Sequence, residues 1–136
     1  MTAAPLFAQA VSNTSLPGGT VTPAIVPGMM TAAFSSAQAE QLLIDASAFV
    51  QFGGLAGPVD VFFQVLVDGT VVTGSEFGTL VNDEAAGRYS SGTTLVVPVA
   101  AGAHVVSVQW SSASGSVGSE ATIIAGNLRV QRFACV

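Results

Sequence analysis

From Gln41 onward, apolar and polar residues alternate one by one. Leu42, Ile44, Ala46, Ala48, Val50 and Phe52 fall on one face, and Asp45, Ser47 and Gln51 on the other. A period of two is the signature of a half-buried β-strand. Leu43 and Phe49 interrupt the polar face, which predicts that part of it is covered as well. After a loop punctuated by Gly53–Gly54 and Gly57–Pro58, a second strand places Val59, Val61, Phe63, Val65 and Val67 inward. Its outward positions are Asp60, Phe62, Gln64, Leu66 and Asp68, so Phe62 and Leu66 are apolar where water is expected. Asp68–Gly69, set between Val67 and Thr70–Val71–Val72, is the sequence of a type I′ hairpin turn, which needs positive φ at both central residues.

A mainly polar connection over 74–92 follows, with one short strand near its start and the length of a crossover between sheets. Further strands are expected at Thr93–Val99, Ala103–Ser111, Glu120–Ile124 and Asn127–Phe133, with Trp110 in the core and the Gly/Ser-rich link 112–119 as an end loop. No segment sustains a 3.6-residue period. Seven or eight short strands, with turn signals about every 8 to 12 residues, predict an all-β antiparallel β-sandwich.

Residues 1–38 read differently from 39–136. Pro5, Pro17, Pro23 and Pro27, with Gly18–Gly19 and Gly28, break short apolar patches. Proline lacks a ladder donor and fixes φ. This composition predicts an extended N-terminal arm with edge strands near Thr20–Val26 and Met29–Phe34, wrapped on its own sandwich or reaching a neighbour, followed by one sandwich domain.

Composition sharpens the picture. Half of the 136 residues are hydrophobic and only 8% are charged, against roughly a quarter in an average soluble domain. A chain so poor in charge is short of means to solvate its own exterior, so much of its surface is expected to meet protein. The basic residues are Arg88, Arg129 and Arg132, and the net charge is −5. Nucleic acid and anionic membranes both call for clustered Lys and Arg, so neither is an expected partner. No apolar run approaches the roughly 20 residues of a membrane-spanning helix. The first ten residues end in a small-residue pattern but lack a basic region and an extended apolar stretch, so a cleaved signal is not expected. The single Cys135 can form no internal disulfide.

The residue inventory disfavours catalysis. One histidine and one cysteine exclude an intrachain site with two imidazoles or a thiolate cluster. His104 is either a lone general base or a rim imidazole at the head of a strand. Asn82–Asp83–Glu84 is either a Ca²⁺-ligating trio or a solvated loop, and it lacks EF-hand spacing. No phosphate-binding glycine pattern or GxSxG elbow is present. No enzyme activity, cofactor or metal is therefore expected. The sharpest local feature is the pair Phe62 and Leu66: such outward apolar residues either pack under another element or meet another subunit.

Ala101-Gly-Ala-His-Val-Val-Ser-Val-Gln-Trp110, the Gly/Ser-rich link, and Ala125-Gly-Asn-Leu-Arg-Val-Gln-Arg132 resemble the closing strands of TNF/C1q-like jelly-roll domains in phage and bacterial structural proteins. There, a loose Gly-x-His-x-Val-x-Leu-x-Trp pattern precedes an Arg-containing last strand. The likeness covers about a quarter of the chain. It implies a TNF-like jelly roll, often trimeric, with apolar faces meeting on an axis. Joined to the low charge and the arm, it leads to the expectation of a virion structural protein. Such a protein would be a phage head decoration or cement protein, a homotrimer docked on the major capsid protein at the capsid surface. The expected contact residues are Phe62, Leu66, Pro23, Ile25, Val26, Met29, Met30 and Phe34. The alternative is a receptor- or glycan-binding jelly-roll module of a tail fibre or surface appendage.

Overall fold

The computed structural model of the chain describes residues 5–9, 14–17, 20–53, 59–81, 88–112 and 120–134. In chain order these form the strands β1 (Leu6–Gln9), β2 (Thr14–Pro17), β3 (Ala24–Met30), β4 (Phe34–Ser36), β5 (Glu40–Gly53), β6 (Val59–Val67), β7 (Thr70–Val71), β8 (Phe77–Val81), β9 (Arg88–Val99), β10 (Gly102–His104), β11 (Val106–Ser111) and β12 (Glu120–Ala134). All their pairings are antiparallel. One sheet, here called the long sheet, has the order β1-β12-β5-β9, with β2 also on β12. The other, the short sheet, runs β3-β11-β6-β7, with β8 also on β6, and β10 pairs β4 at one end. The chain is thus an all-β antiparallel sandwich of jelly-roll kind. No helix among the described residues is long and apolar enough to cross a membrane.

The alternation read from the sequence builds the core. Leu42, Ile44, Ala46, Ala48, Val50 and Phe52 of β5 all point inward and are buried, as are Val61, Phe63 and Val65 of β6. Between the sheets, Phe63 stacks on Phe77 with ring centroids 5.0 Å apart and an interplanar angle of 12°, and Trp110 tilts against it at 6.2 Å. Offset aromatic pairs of this kind add to the area they bury. Leu43 and Phe49 are half-buried on the outer face of the long sheet.

The central pair of the long sheet is β5 with β12, in register from Glu40 opposite Ala134 to Gly53 opposite Glu120. Val50 faces Ile123 and Phe49 faces Ala125, so Ile124 is an extra residue. Such a bulge shifts the alternation by one. Ala121 and Ile123 are buried before it and Leu128 and Val130 after it. The sequence pattern therefore suggests two segments where the chain makes one continuous strand. A bulge also lies between β3 and β11. Gln109 pairs with Ile25 and Ser107 with Met30, so Pro27 and Gly28, the latter at φ 86°, sit within the bulge.

Several boundaries differ from expectation. β3 and β4 replace strands expected at 20–26 and 29–34, because the Pro27–Gly28 break falls inside β3 as its bulge. β9 begins at Arg88, five residues early: Arg88–Gly92 is polar but pairs with Ser47–Gln51 of β5. The segment expected as 103–111 divides at Val105 into β10 and β11. The N-terminal residues 6–9 and 14–17 run extended along successive parts of β12, opposite 127–130 and 120–123. The hairpin turn is as expected, with Asp68 at φ 54° and Gly69 at 79°. Beyond it, the Val65 N–H donates to Ser75 Oγ at 3.1 Å, and the Val65 carbonyl accepts from the Val72 N–H at 2.9 Å and the Ser75 hydroxyl at 3.3 Å.

Candidate functional site

Cross-strand register assembles the outer face of the short sheet. One row runs from Met30 on β3 through Ser107 and Leu66 to Val71 on β7. The next holds Ile25, Gln109 and Gln64, and a third Ser111, Phe62 and Gly78. The Gln109 amide donates to Gln64 Oε1 at 2.8 Å. Asp60 lies buried at one end of β6, accepting from Ser112 Oγ at 2.9 Å, and Asp68 lies in the turn at the other end. Between these two carboxylates the rows carry no charge.

Four of the eight residues expected at an interface, Ile25, Met30, Phe62 and Leu66, therefore share this face. Leu66 is only 5% exposed, Phe62 is half-buried, and Met30 at its rim is 48% exposed. Val71 completes the Met30 row and was not among the expected contacts; its position opposite Leu66 across the Asp68–Gly69 turn was the available signal. Pro23 is exposed just before β3. Val26 and Met29 are fully buried and offer no side chain to a partner within this fold. The bulge turns them toward the core.

Phe34 belongs to a different group of side chains. The Arg132 guanidinium lies 4.8 Å from its ring centroid, and the His104 ring tilts against it at 5.9 Å. Arg132 grips Glu40 through two hydrogen bonds, Nε to Oε2 at 3.0 Å and Nη2 to Oε1 at 2.9 Å, and donates to the Ser35 carbonyl at 2.9 Å. Ser36 Oγ adds a bond to Glu40 Oε2 at 2.7 Å. The bonds from Arg132, joined by that from Ser36 and opposed by partial burial, hold the Glu40 carboxyl below its ordinary value. A fork-to-fork geometry of this kind joins charge to direction.

His104 ends this chain of contacts. Its Nδ1 meets Asp68 Oδ2 at 2.7 Å and its Nε2 meets the Ala100 carbonyl at 2.6 Å. Both partners are acceptors, so both ring nitrogens must donate, which only the imidazolium can do. The Asp68 bond, helped by the Ala100 carbonyl, raises the His104 pKa, and the same bond holds Asp68 low. Asp68 Oδ1 also accepts from the Val105 N–H at 2.8 Å. An imidazole with both nitrogens engaged has no lone pair for a substrate proton. The arrangement fastens the β6–β7 turn to the chain around β10 and is not a catalytic base poised for use. Nothing in the sequence links Glu40 to Arg132 or Asp68 to His104, which only the fold brings together.

Among the described residues no group of three or more His, Cys, Asp or Glu side chains could hold a metal ion. The Asn82–Asp83–Glu84 trio and Cys135 lie outside the described residues. The arginines do not gather: Arg88 is exposed on β9, Arg129 lies over Phe7 and Arg132 is paired with Glu40.

No family model matches the chain, and no curated protein does either. Solved structures do. A chain in the structure of infectious bursal disease virus, Gx strain, superposes with a TM-score of 0.54 at 14% identity, covering 94% of this chain and 32% of that one. A chain in the crystal structure of the T13 viral particle of IBDV gives 0.36 at 9% identity, covering 96% and 39%. The protein spans between about a third and two fifths of the length of these chains. The first likeness establishes the shared sandwich fold.

Proposed function

We propose that the protein is a non-enzymatic virion structural protein. In this reading it is a head decoration or cement protein that sits on a capsid surface as a homotrimer and stabilises it by gripping the major capsid protein. The observation that carries the reading is the uncharged outer face of the short sheet, where Ile25, Met30, Phe62, Leu66 and Val71 lie with glutamines and serines and no charged group stands between Asp60 and Asp68. Two further points support it: a sandwich fold shared with a chain of a virus structure, and a composition with 8% charged residues.

The mechanism is mechanical. Removing apolar surface from water stabilises a contact by about 25 cal/mol per Å². A standard interface takes about 800 Å² from each partner, roughly an eighth of this chain's 6674 Å². Of residues 1–38, Pro23 and the neighbouring β3 extend the grip, and buried Leu66 keeps the patch preformed. The glutamine pair supplies hydrogen bonds at the contact without the desolvation cost of a buried charge.

The native mass in solution tests this directly. A mass of three chains is expected for the wild type, falling to one chain for Met30→Asp, with loss of binding to capsid shells. Met30 is exposed at the rim, so the variant is expected to fold, and circular dichroism checks that it does. A single-chain mass for the wild type at every concentration would overturn the trimer. Unchanged shell binding by Met30→Asp together with Phe62→Asp would overturn the face.

A further inference from the structure

The long sheet carries a second site on the opposite side of the sandwich. Its outer face bears a row in direct register, Phe7 on β1, Arg129 on β12, Asp45 on β5 and Thr94 on β9. The adjacent row holds Asn127, Ser47 and Gly92. Together they line an open cavity of about 640 Å³, within the range of small-ligand sites. The floor is low because small residues occupy it. Gly92 is required there: a Cβ would meet the Ala46 carbonyl oxygen at 2.8 Å. Close approach of β9 to β5 thus keeps the cleft from being filled.

The wall is chemically specific. Thr94 Oγ1 donates to Asp45 Oδ1 at 2.7 Å, which orients the carboxylate and leaves its second oxygen without a side-chain partner among the described residues. Arg129 is the cross-strand neighbour of Asp45, yet the two form no ion pair among the described residues; its guanidinium instead lies 6.0 Å from the Phe7 ring centroid. Opposite charges on adjacent strands ordinarily attract and pair. Here both line the cavity without pairing, one an acceptor and the other a fork of donors. The Phe7 ring is 67% exposed at the cavity's edge.

We propose that this cleft binds a neutral sugar ring. One hydroxyl of a pyranoside donates to Asp45 and its neighbour accepts from Arg129, while an apolar C–H face of the ring lies on Phe7. The two side chains sum to zero charge, so the site offers no net attraction to an anion or a cation. What it matches is a ligand that donates and accepts at adjacent positions and has one apolar face, which is the chemistry of vicinal hydroxyls on a six-membered ring. The site is independent of the short-sheet face, so it stands whether or not that face mediates assembly.

The test is titration of the full chain, followed by two-dimensional NMR, with the methyl pyranosides of glucose, galactose, mannose and N-acetylglucosamine, and with N-acetylneuraminic acid as the anionic comparison. Saturable shifts confined to Phe7, Ser47, Thr94 and Arg129 are expected with at least one neutral sugar. Asp45→Asn and Phe7→Ala should each weaken that binding by about tenfold, the scale of one charged hydrogen bond or one apolar contact. Val21→Ser, at an exposed position ahead of β3, should leave it unchanged. No saturable shift at the cleft with any neutral sugar would overturn the proposal, as would binding indifferent to Asp45→Asn. Preference for N-acetylneuraminic acid would overturn it too, by reassigning the cleft to an anion held by Arg129.

Discussion

His104 stands between two acceptors, and its charge decides whether the contact holds. Its folded pKa is raised above the ordinary 6.5, so its contribution is fully present below that value and is lost as pH rises through the folded one. Asp68 is held below its ordinary 3.8; its contribution is present above that value and lost as pH falls through the lowered one. Thermal stability should therefore be greatest between these limits and decline as pH rises above 6.5 through the raised His104 value. The His104→Asn variant should lose that decline. Scanning calorimetry of both proteins across this range is the check, and parallel profiles would remove His104 as the cause. The nearby Glu40–Arg132 pair should behave differently, since both side chains are mostly buried. Arg132→Met leaves Glu40 with only the Ser36 hydroxyl and should cost about 2 kcal/mol in urea unfolding.

At the scale of the strand, Gly78 is more tightly hemmed in than Gly92, another strand glycine with backbone close to its missing side chain. It lies opposite Phe62 on β6, and a Cβ there would collide with the Val61 carbonyl oxygen and meet the Phe62 Cα at 3.0 Å. Both obstacles are backbone, which cannot turn aside as a side chain can. Gly78→Ala should destabilise by about 2 kcal/mol in chemical denaturation, and a wild-type midpoint would show that β8 can shift away. Strands with one clean alternation were legible in the sequence. β5 and β6 declare their inward faces residue by residue, and the Asp68–Gly69 turn sets the point where the chain reverses into β7. The features that were not legible have a common cause, namely information held by a partner strand. Arg88–Gly92 has the composition of a loop, and only the facing Ser47–Gln51 makes it strand. Ile124 shifts the parity of β12, so local periodicity splits one element into two. Of the two surfaces, Phe62 and Leu66 were visible as misplaced apolar residues. The cleft of the long sheet was not, because Phe7, Asp45, Thr94 and Arg129 come from four distant segments whose register no local pattern encodes.

For the molecule as a whole, an aromatic cluster from three neighbouring strands of the short sheet, β8, β6 and β11, forms part of the core on that sheet's inner face. Phe63 touches both Phe77 and Trp110. Phe63→Leu keeps an apolar side chain but loses both ring contacts and leaves a void. It should cost about 2 kcal/mol, and Phe63→Ala about 4 kcal/mol. Equilibrium unfolding followed by Trp110 fluorescence measures both, since the indole lies in the same cluster. The whole molecule also divides its labour by face. One side of the sandwich carries uncharged rows between Asp60 and Asp68, the other sets on one cleft a carboxylate and a guanidinium that form no ion pair among the described residues, and the ion pairs Glu40–Arg132 and Asp68–His104 lie together at one end.

The bulge at Pro27–Gly28 has a consequence for how copies of the chain can join. β3 is the outermost strand on its side of the short sheet, and an outermost strand with a regular ladder is a template on which further strands can be added without end. Pro27 withholds a donor there and Gly28, in a left-handed conformation, breaks the spacing. An edge interrupted in this way resists open-ended strand addition, which in a chain this apolar works against fibrils. Pro27→Val with Gly28→Ser should increase thioflavin-positive aggregation on prolonged incubation, while Pro23→Val, outside the ladder, should not.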